Sequence, residues 1–416
     1  MVCLFFPPNP GIGGRRTAKF AKYMAKKGDE LYVIHAKNIF PTTSPWFKDI
    51  DGYKGIHRME LDLNYPKEFI IPPDSLFGKI RYRLFNAYFS ILHPTKNRYD
   101  YSFFWNEQLL KQARELLTRH SIPNLLISGP PFYYAHRLSV LKKEFPELNI
   151  IVDFRDPWIG SPYYGMSNLK PEQKKHEVSL LTQVYQRTNY FTAPNSFLLN
   201  EQRACIQDES LPGAELYEIP HAYDIDEVKE FMNLPVRSDN KHIRLVYGGQ
   251  LYPGTDGILK ALSAFLDRLK ASSPALYTRL SFDFYTPQTA QKKFFLNHPE
   301  QVRFFEPQGN EIMRKLSEAD YCLIFLAGHN KNYKTTKFLE YSILRKPFIV
   351  LGEKGFVAEE VERHKIGKAY NETDISELES LLSNSSQYLS TEYNNQYDFS
   401  RYSFEAVTET LRTILK

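Results

Sequence analysis

Short, predominantly apolar runs, each too brief for a globular helix and each followed by a turn and a helix-patterned segment, constrain this chain more than any other feature. Residues 2–6 (VCLFF), 124–127 (NLLI), 150–154 (IIVDF), 243–247 (IRLVY) and 321–326 (YCLIFL) are apolar at both odd and even positions. Strands of that kind are covered on both faces, which is the condition of a parallel sheet with helices on either side. Further strands are expected at 30–35, 280–286 and 302–306, with helices at 15–27, 256–270 and 404–415. The pattern therefore predicts an α/β fold with two Rossmann-like domains. With 416 residues there is enough chain for two independent cores. The alternation loosens between His221 and Pro235 and restarts at Ile243, so the boundaries fall at 1–222 and 223–398, and a last segment, 399–416, is expected to return to the N-terminal domain as a helix.

The turns that follow the strands carry the chemistry, because the carboxyl edge of an open parallel sheet is where ligands bind. After the 321–326 strand comes a loop and then a helix that Thr335 or Thr336 is placed to cap. Lys337 falls in its first turn, beside unpaired amides that favour a phosphate, and Glu340 lies one turn on, where a carboxylate can accept from a vicinal diol such as a ribose. The alternative is an ordinary surface pair, worth a few tenths of a kcal/mol. Gly13 and Gly14 lie in the first turn, PNPGIGGRR, either turning amides toward charge or permitting a tight strand-to-helix turn. A dinucleotide fingerprint is poorly matched: Arg16 stands where a third small residue belongs, and His35-Ala36-Lys37 lacks the ribose-binding acid. After residues 150–154 the chain reads Arg155-Asp156-Pro157-Trp158, so with Asp153 three charges meet at a core strand's end. They mark the floor of a site, or a structural Arg155 bridging the two acids.

Cys3, Cys205 and Cys322 show neither a disulfide framework nor metal-ligand spacing, which fits a reducing cytoplasm. The early apolar run breaks at Pro7, too soon for a signal peptide, and no stretch is long enough for a membrane span. A net charge of +5 does not call for nucleic acid. The basic residues are nevertheless clustered: Lys79, Arg81, Arg83, Lys96 and Arg98 occur in a segment without acids, with Phe85, Tyr88 and Phe89 between them. This reads either as an amphipathic helix resting on anionic lipid or as a helix packed on its own domain with a solvated basic face.

Taken in order, PNPGIGGRR, SGPP, DFRDPW, IPHAYD, YGGQLYPG and KFLEY with KPFIVLG resemble bacterial family-four-type glycosyltransferases of the GT-B fold, over nearly the whole chain. The resemblance implies two Rossmann-like domains facing across a cleft, and a retaining, metal-independent transferase of surface polysaccharide assembly. Its implied partners are a nucleotide-sugar donor on the C-terminal domain and a glycan or polyprenyl-diphosphate-linked acceptor on the N-terminal one. It implies no separate cofactor and no metal. It places Glu340 on the donor ribose, Lys337 near the phosphates, and Gly13 and Gly14 at the transfer centre. Arg155 and Asp156 fall where related enzymes keep a histidine beside the reacting sugar. Gly249, Gln250 and Asn332 are also placed on the donor; two positions depart from the pattern, since Asn332 stands in place of a carboxylate, and Gln250 and Thr255-Asp256 stand where an arginine and a lysine are usual. Lys334, Lys337, Arg16 and the helix dipole are then left to meet the diphosphate. The implied location is cytoplasmic, with peripheral association at the inner face of the plasma membrane. A non-catalytic sugar-nucleotide binder and an NAD(P) oxidoreductase are the competing readings.

Overall fold

A computed structural model describes the chain apart from residues 41, 72, 96, 98–99, 162–164, 232–241, 252–253, 288, 308–310, 329–330 and 333–334. It divides into two compact units, Met1–Pro220 with Phe404–Lys416, and His221–Ser403. The boundaries expected after 222 and 398 thus fall after Pro220 and Ser403. The reason is local: Tyr223 N–H donates to Tyr402 O at 3.0 Å, and Phe399 packs edge-on to Phe338, tying both ends of this stretch to the second unit.

The first unit is built on a seven-stranded parallel sheet: β1 Val2–Cys3, β2 Leu31–Ala36, β3 Ile56–Leu61, β4 Asn124–Gly129, β5 Asn149–Phe154, β6 Tyr190–Ala193 and β7 Glu215–Glu218, in the order β3-β2-β1-β4-β5-β6-β7. β1 is shorter than its apolar run because Leu4–Phe6 bend out of the ladder, although Ala36 N–H still reaches Leu4 O at 3.2 Å. Helix α1, Arg15–Lys26, follows, and it ends at Gly28, whose φ of +90° supplies the left-handed residue such an end requires. Helix α2, Leu76–Leu92, starts at Ser75, whose Oγ accepts from Gly78 N–H at 3.0 Å. Of the aromatic residues read as lipid contacts, Phe85 and Phe89 instead face the domain, against Phe69 at 6.2 and 6.0 Å between ring centres, and only Tyr88 points out. Lys96 and Arg98 lie outside the described residues.

The second unit has a six-stranded parallel sheet: β8 Ile243–Gly248, β9 Leu280–Tyr285, β10 Val302–Phe305, β11 Tyr321–Leu326, β12 Phe348–Gly352 and β13 Gly367–Tyr370, in the order β10-β9-β8-β11-β12-β13. Alternation along β8 sends Leu245 and Tyr247 into the core under helix α3, Asp256–Ser272, and Val246 into the core that holds helix α4, Thr336–Ser342. Strand order reverses between β1 and β4 in one sheet and between β8 and β11 in the other. Loops leaving these neighbours diverge to opposite faces, which opens a crevice at each carboxyl edge. Both crevices coincide with the sequence's unusual turns.

Candidate functional site

In the second unit the crevice lies between the turn after β8 and the start of α4. Thr335 caps that helix, its Oγ1 accepting from Phe338 N–H at 3.3 Å. Only seven residues long, α4 contributes a modest dipole, so the side-chain charge matters more. Lys337 is half-buried, and its Nζ donates to Tyr247 Oη and to Gln250 O, each at 3.1 Å, lying 5.1 Å from the Tyr247 ring centre. Burial lowers its pKa from 10.5 to about 8, with the Glu340 carboxylate opposing the shift. The ammonium is therefore charged at neutral pH yet held in a poorly solvated place, which raises its value to an incoming anion.

The β8 turn is shaped around this amine. Gly249 has φ of +120°, and a Cβ there would lie 2.3 Å from Lys337 Cε, so both backbone and space demand glycine. Two buried tyrosines pin the turn: Tyr247 Oη donates to Gln250 O at 2.5 Å, and Tyr341 Oη donates to Gly248 O. Gln250 takes part through its carbonyl, while its side chain stands exposed. Glu340 is half-buried one turn beyond Lys337, and Asn332 is half-buried in the turn that precedes the helix. Lys334 lies outside the described residues. Neither pinning tyrosine was singled out in the sequence, although Tyr247, the last large residue before Gly-Gly, carried a usable signal.

In the first unit, Arg155 ties together the two loops that flank the strand-order reversal. Its Nε donates to Gly129 O at 2.9 Å, Nη2 to Pro130 O at 2.8 Å and Nη1 to Gly13 O. The bridge between Asp153 and Asp156 offered as an alternative is not its role. Asp153 is met instead by Arg16, so the arginine assigned to the donor diphosphate is committed to an internal pair. Only 5% exposed, it donates to both Asp153 oxygens at 3.0 and 3.1 Å, to Pro220 O at 2.8 Å and to Ile219 O at 2.7 Å. Ser128 and Thr192 complete the Asp153 shell at 3.0 Å each. Burial pushes Asp153 up, but the Arg16 charge and these hydrogen bonds hold its pKa below the ordinary aspartate value.

Asp156 is the opposite case. It makes no hydrogen bond among the described residues, and burial raises its pKa against the partly offsetting charge of Arg155. The glycine loop is also recast. Gly14 N–H donates to Gly11 O at 3.0 Å, and a Cβ on Gly14 would lie 2.1 Å from Phe5 O. A Cβ on Gly13 would strike Arg155 Nη1 at 2.3 Å. Close packing therefore accounts for both glycines, and the Gly14 amide is engaged in the turn rather than free for a phosphate. Asp49 and Asp224, each the first acid of an Asp-x-Asp string, have local uses: Asp49 pairs with Lys19 at 2.7 Å and Lys22 at 3.6 Å, and Asp224 caps the next turn at Asp226 N–H, 3.0 Å away.

Two parallel-sheet units with these reversal points have the architecture of GT-B glycosyltransferases, and solved structures of that class match the chain along its length. OtsA in its apo form matches with a TM-score of 0.63 and 10% identity, over 96% of this chain and 95% of its own. WaaG, a glycosyltransferase involved in lipopolysaccharide biosynthesis, matches with a TM-score of 0.58 and 12% identity, over 100% and 99%. A UDP-forming α,α-trehalose-phosphate synthase from Burkholderia xenovorans, in complex with glucose-6-phosphate, gives 0.59 and 11%, again over 100% and 99%. At such identities the likeness establishes the fold. No family profile and no curated protein sequence matches the chain.

Proposed function

We propose that this protein is a glycosyltransferase that takes a sugar nucleotide on its second unit and passes the sugar to a glycan or polyprenyl-diphosphate-linked acceptor on its first. The observation that carries the reading is Lys337, a half-buried ammonium at the β8–β11 crevice with the backbone of Gly249 shaped around it. Glycosyl transfer builds positive charge on the sugar ring and negative charge on the departing phosphate. Lys337 is set to stabilise the latter without a metal, and Glu340, on the same helix, to accept from the ribose hydroxyls. The reaction we propose is retaining and metal-independent, in bacterial surface polysaccharide assembly at the cytoplasmic side of the membrane. No helix among the described residues is long and apolar enough to cross a membrane.

In the first unit, Arg155 fixes the two loops of the acceptor crevice, and we assign Asp156, its neighbour in sequence, as the carboxylate of that crevice. The half-buried amide Asn332, standing where the family pattern has a carboxylate, keeps a sugar-nucleotide binder without turnover as the second reading. The deciding experiment measures nucleoside diphosphate release from UDP-, GDP-, dTDP- and ADP-sugars, in excess EDTA, with and without prenyl-diphosphate-linked acceptor. Release from one donor that accelerates with acceptor supports transfer. Tight binding without release favours the binder, and release only after manganese or magnesium is restored overturns the metal-free mechanism.

A further inference from the structure

Helix α2 has two apolar faces, and only one of them is covered. Gly78, Tyr82, Phe85 and Phe89 turn inward, with Phe69 against Tyr82 at 5.2 Å and Phe103 against Phe89 at 5.7 Å between ring centres. On the other face Leu76, Phe77, Ile80, Leu84, Tyr88 and Ile91 are 81, 70, 55, 67, 54 and 84% exposed. Spacings of three, four and seven place them in one stripe along a helix about 25 Å long. A folded chain rarely leaves so many large apolar side chains contiguous in water unless something covers them.

The charges on the helix select what that is. Lys79 and Arg83 lie along one edge of the stripe and Arg81 along the other, all exposed, and the helix contains no acid. The acid that meets one of these cations, Glu68, is buried and pairs with Arg81 at 3.2 Å from the preceding segment. An apolar stripe flanked by cations matches the boundary between acyl chains and anionic headgroups, with the basic side chains reaching up to phosphate. A second copy of this chain would bring the same cations against one another with no carboxylate on either helix to meet them.

We propose that the outward face of α2 docks on an anionic bilayer, with the helix in the interface plane and Leu76, Phe77, Ile80, Leu84, Tyr88 and Ile91 inserted. The inward face carries the consequence for chemistry. From Phe89 a run of ring contacts passes to His93 at 4.9 Å, from His93 to Phe103 at 4.7 Å and from Phe103 to Tyr133 at 5.5 Å. Tyr133 begins the helix after Gly129-Pro130-Pro131, and Arg155 holds the first two of these carbonyls. The docked helix and the first unit's crevice are thus joined through one packed aromatic cluster, which sets that crevice at a fixed place relative to the membrane surface.

The test uses the full chain without donor, so it succeeds or fails independently of the transferase reading. Co-sedimentation is measured with phosphatidylcholine vesicles with and without phosphatidylglycerol, at low and high salt. The expected result is binding that needs phosphatidylglycerol and weakens with salt, because headgroup attraction fades beyond a Debye length of about 8 Å. Leu84→Asp, and separately Ile91→Asp, should each lower partitioning about tenfold or more. Lys79→Glu with Arg83→Glu should remove the lipid preference, all variants keeping the wild-type melting curve because these side chains are already exposed. Tyr88→Trp should add an emission that shifts to the blue on anionic vesicles. Absence of binding to phosphatidylglycerol vesicles, equal partitioning of wild type and Leu84→Asp, or a solution dimer that Leu84→Asp dissociates would each overturn the proposal, the last by making the stripe a contact between copies.

Discussion

Lys337 should make diphosphate binding depend on pH in a range where few other groups titrate. Its amine has a pKa of about 8 in the free protein, lowered chiefly by burial. A diphosphate placed beside it favours the charged form, so the bound amine keeps its proton to higher pH. About nine-tenths of the amine is charged at pH 7 and about one-tenth at pH 9. The dissociation constant for the nucleoside diphosphate should therefore rise about tenfold over those two units, or about 1.4 kcal/mol. Titration calorimetry with UDP, or with whichever diphosphate the donor screen selects, measures this directly. Lys337→Met should bind more weakly at pH 7 and show almost no slope between pH 7 and 9. Stability supplies a second readout with its own sign. Because the folded amine's pKa lies below the ordinary 10.5, holding the charge disfavours the folded state below pH 8, and that cost fades as pH rises from 8 toward 10.5. The Met variant should thus melt no lower than wild type at pH 7, with any advantage closing at alkaline pH. Equal pH slopes for wild type and Lys337→Met, or a flat wild-type profile, would refute the assignment of the phosphate to this amine.

Glu340→Ala should weaken nucleotide binding by about 1 to 3 kcal/mol, the worth of a hydrogen bond to a charged group, and an unchanged dissociation constant in a folded variant would count against the ribose contact. Tyr247→Phe removes the hydroxyl that donates to Gln250 O and accepts from Lys337; it should lower stability by about 1 kcal/mol and reduce turnover more than nucleoside affinity, and turnover equal to wild type would show that the tyrosine does not position the amine. Asp153 and Asp156 should respond oppositely to removal of their charge. Asp153→Asn breaks a buried pair and should cost about 3 to 5 kcal/mol at pH 7 by chemical denaturation, a stabilisation that in wild type is lost as pH falls through the depressed pKa. Asp156→Asn removes a half-buried carboxylate that has no hydrogen bond among the described residues, so its melting temperature should equal or exceed wild type at pH 7 and match it at pH 3, where the aspartate is protonated; a marked loss at pH 7 would mean the carboxylate has a stabilising partner.

The largely apolar runs at 124–127, 150–154, 243–247 and 321–326 made the two parallel sheets legible without any structure, because strands covered on both faces carry apolar residues on both. The spacing of Lys337 and Glu340 on one short helix was legible for the same kind of reason, since helical periodicity is a local property. Which charge meets which was not. Arg16 and Asp153 are far apart in sequence and met only when β1 and β5 took their places around β4, so an arginine that looked available for phosphate proved to be internal structure. Gly13 and Gly14 read equally well as anion ligands or as packing residues, and only the positions of Phe5 O and the Arg155 guanidinium favoured packing. In α2, Ile80, Leu84 and Ile91 recur at helical spacing, but periodicity alone could not say which face of a helix apolar on both sides the domain covers. Tertiary packing decided that Phe85 and Phe89 turn inward and that the Leu76–Leu84–Ile91 stripe stays in water, because the aromatic cluster of Tyr65, Phe69 and Phe103 could cover only one side of the helix.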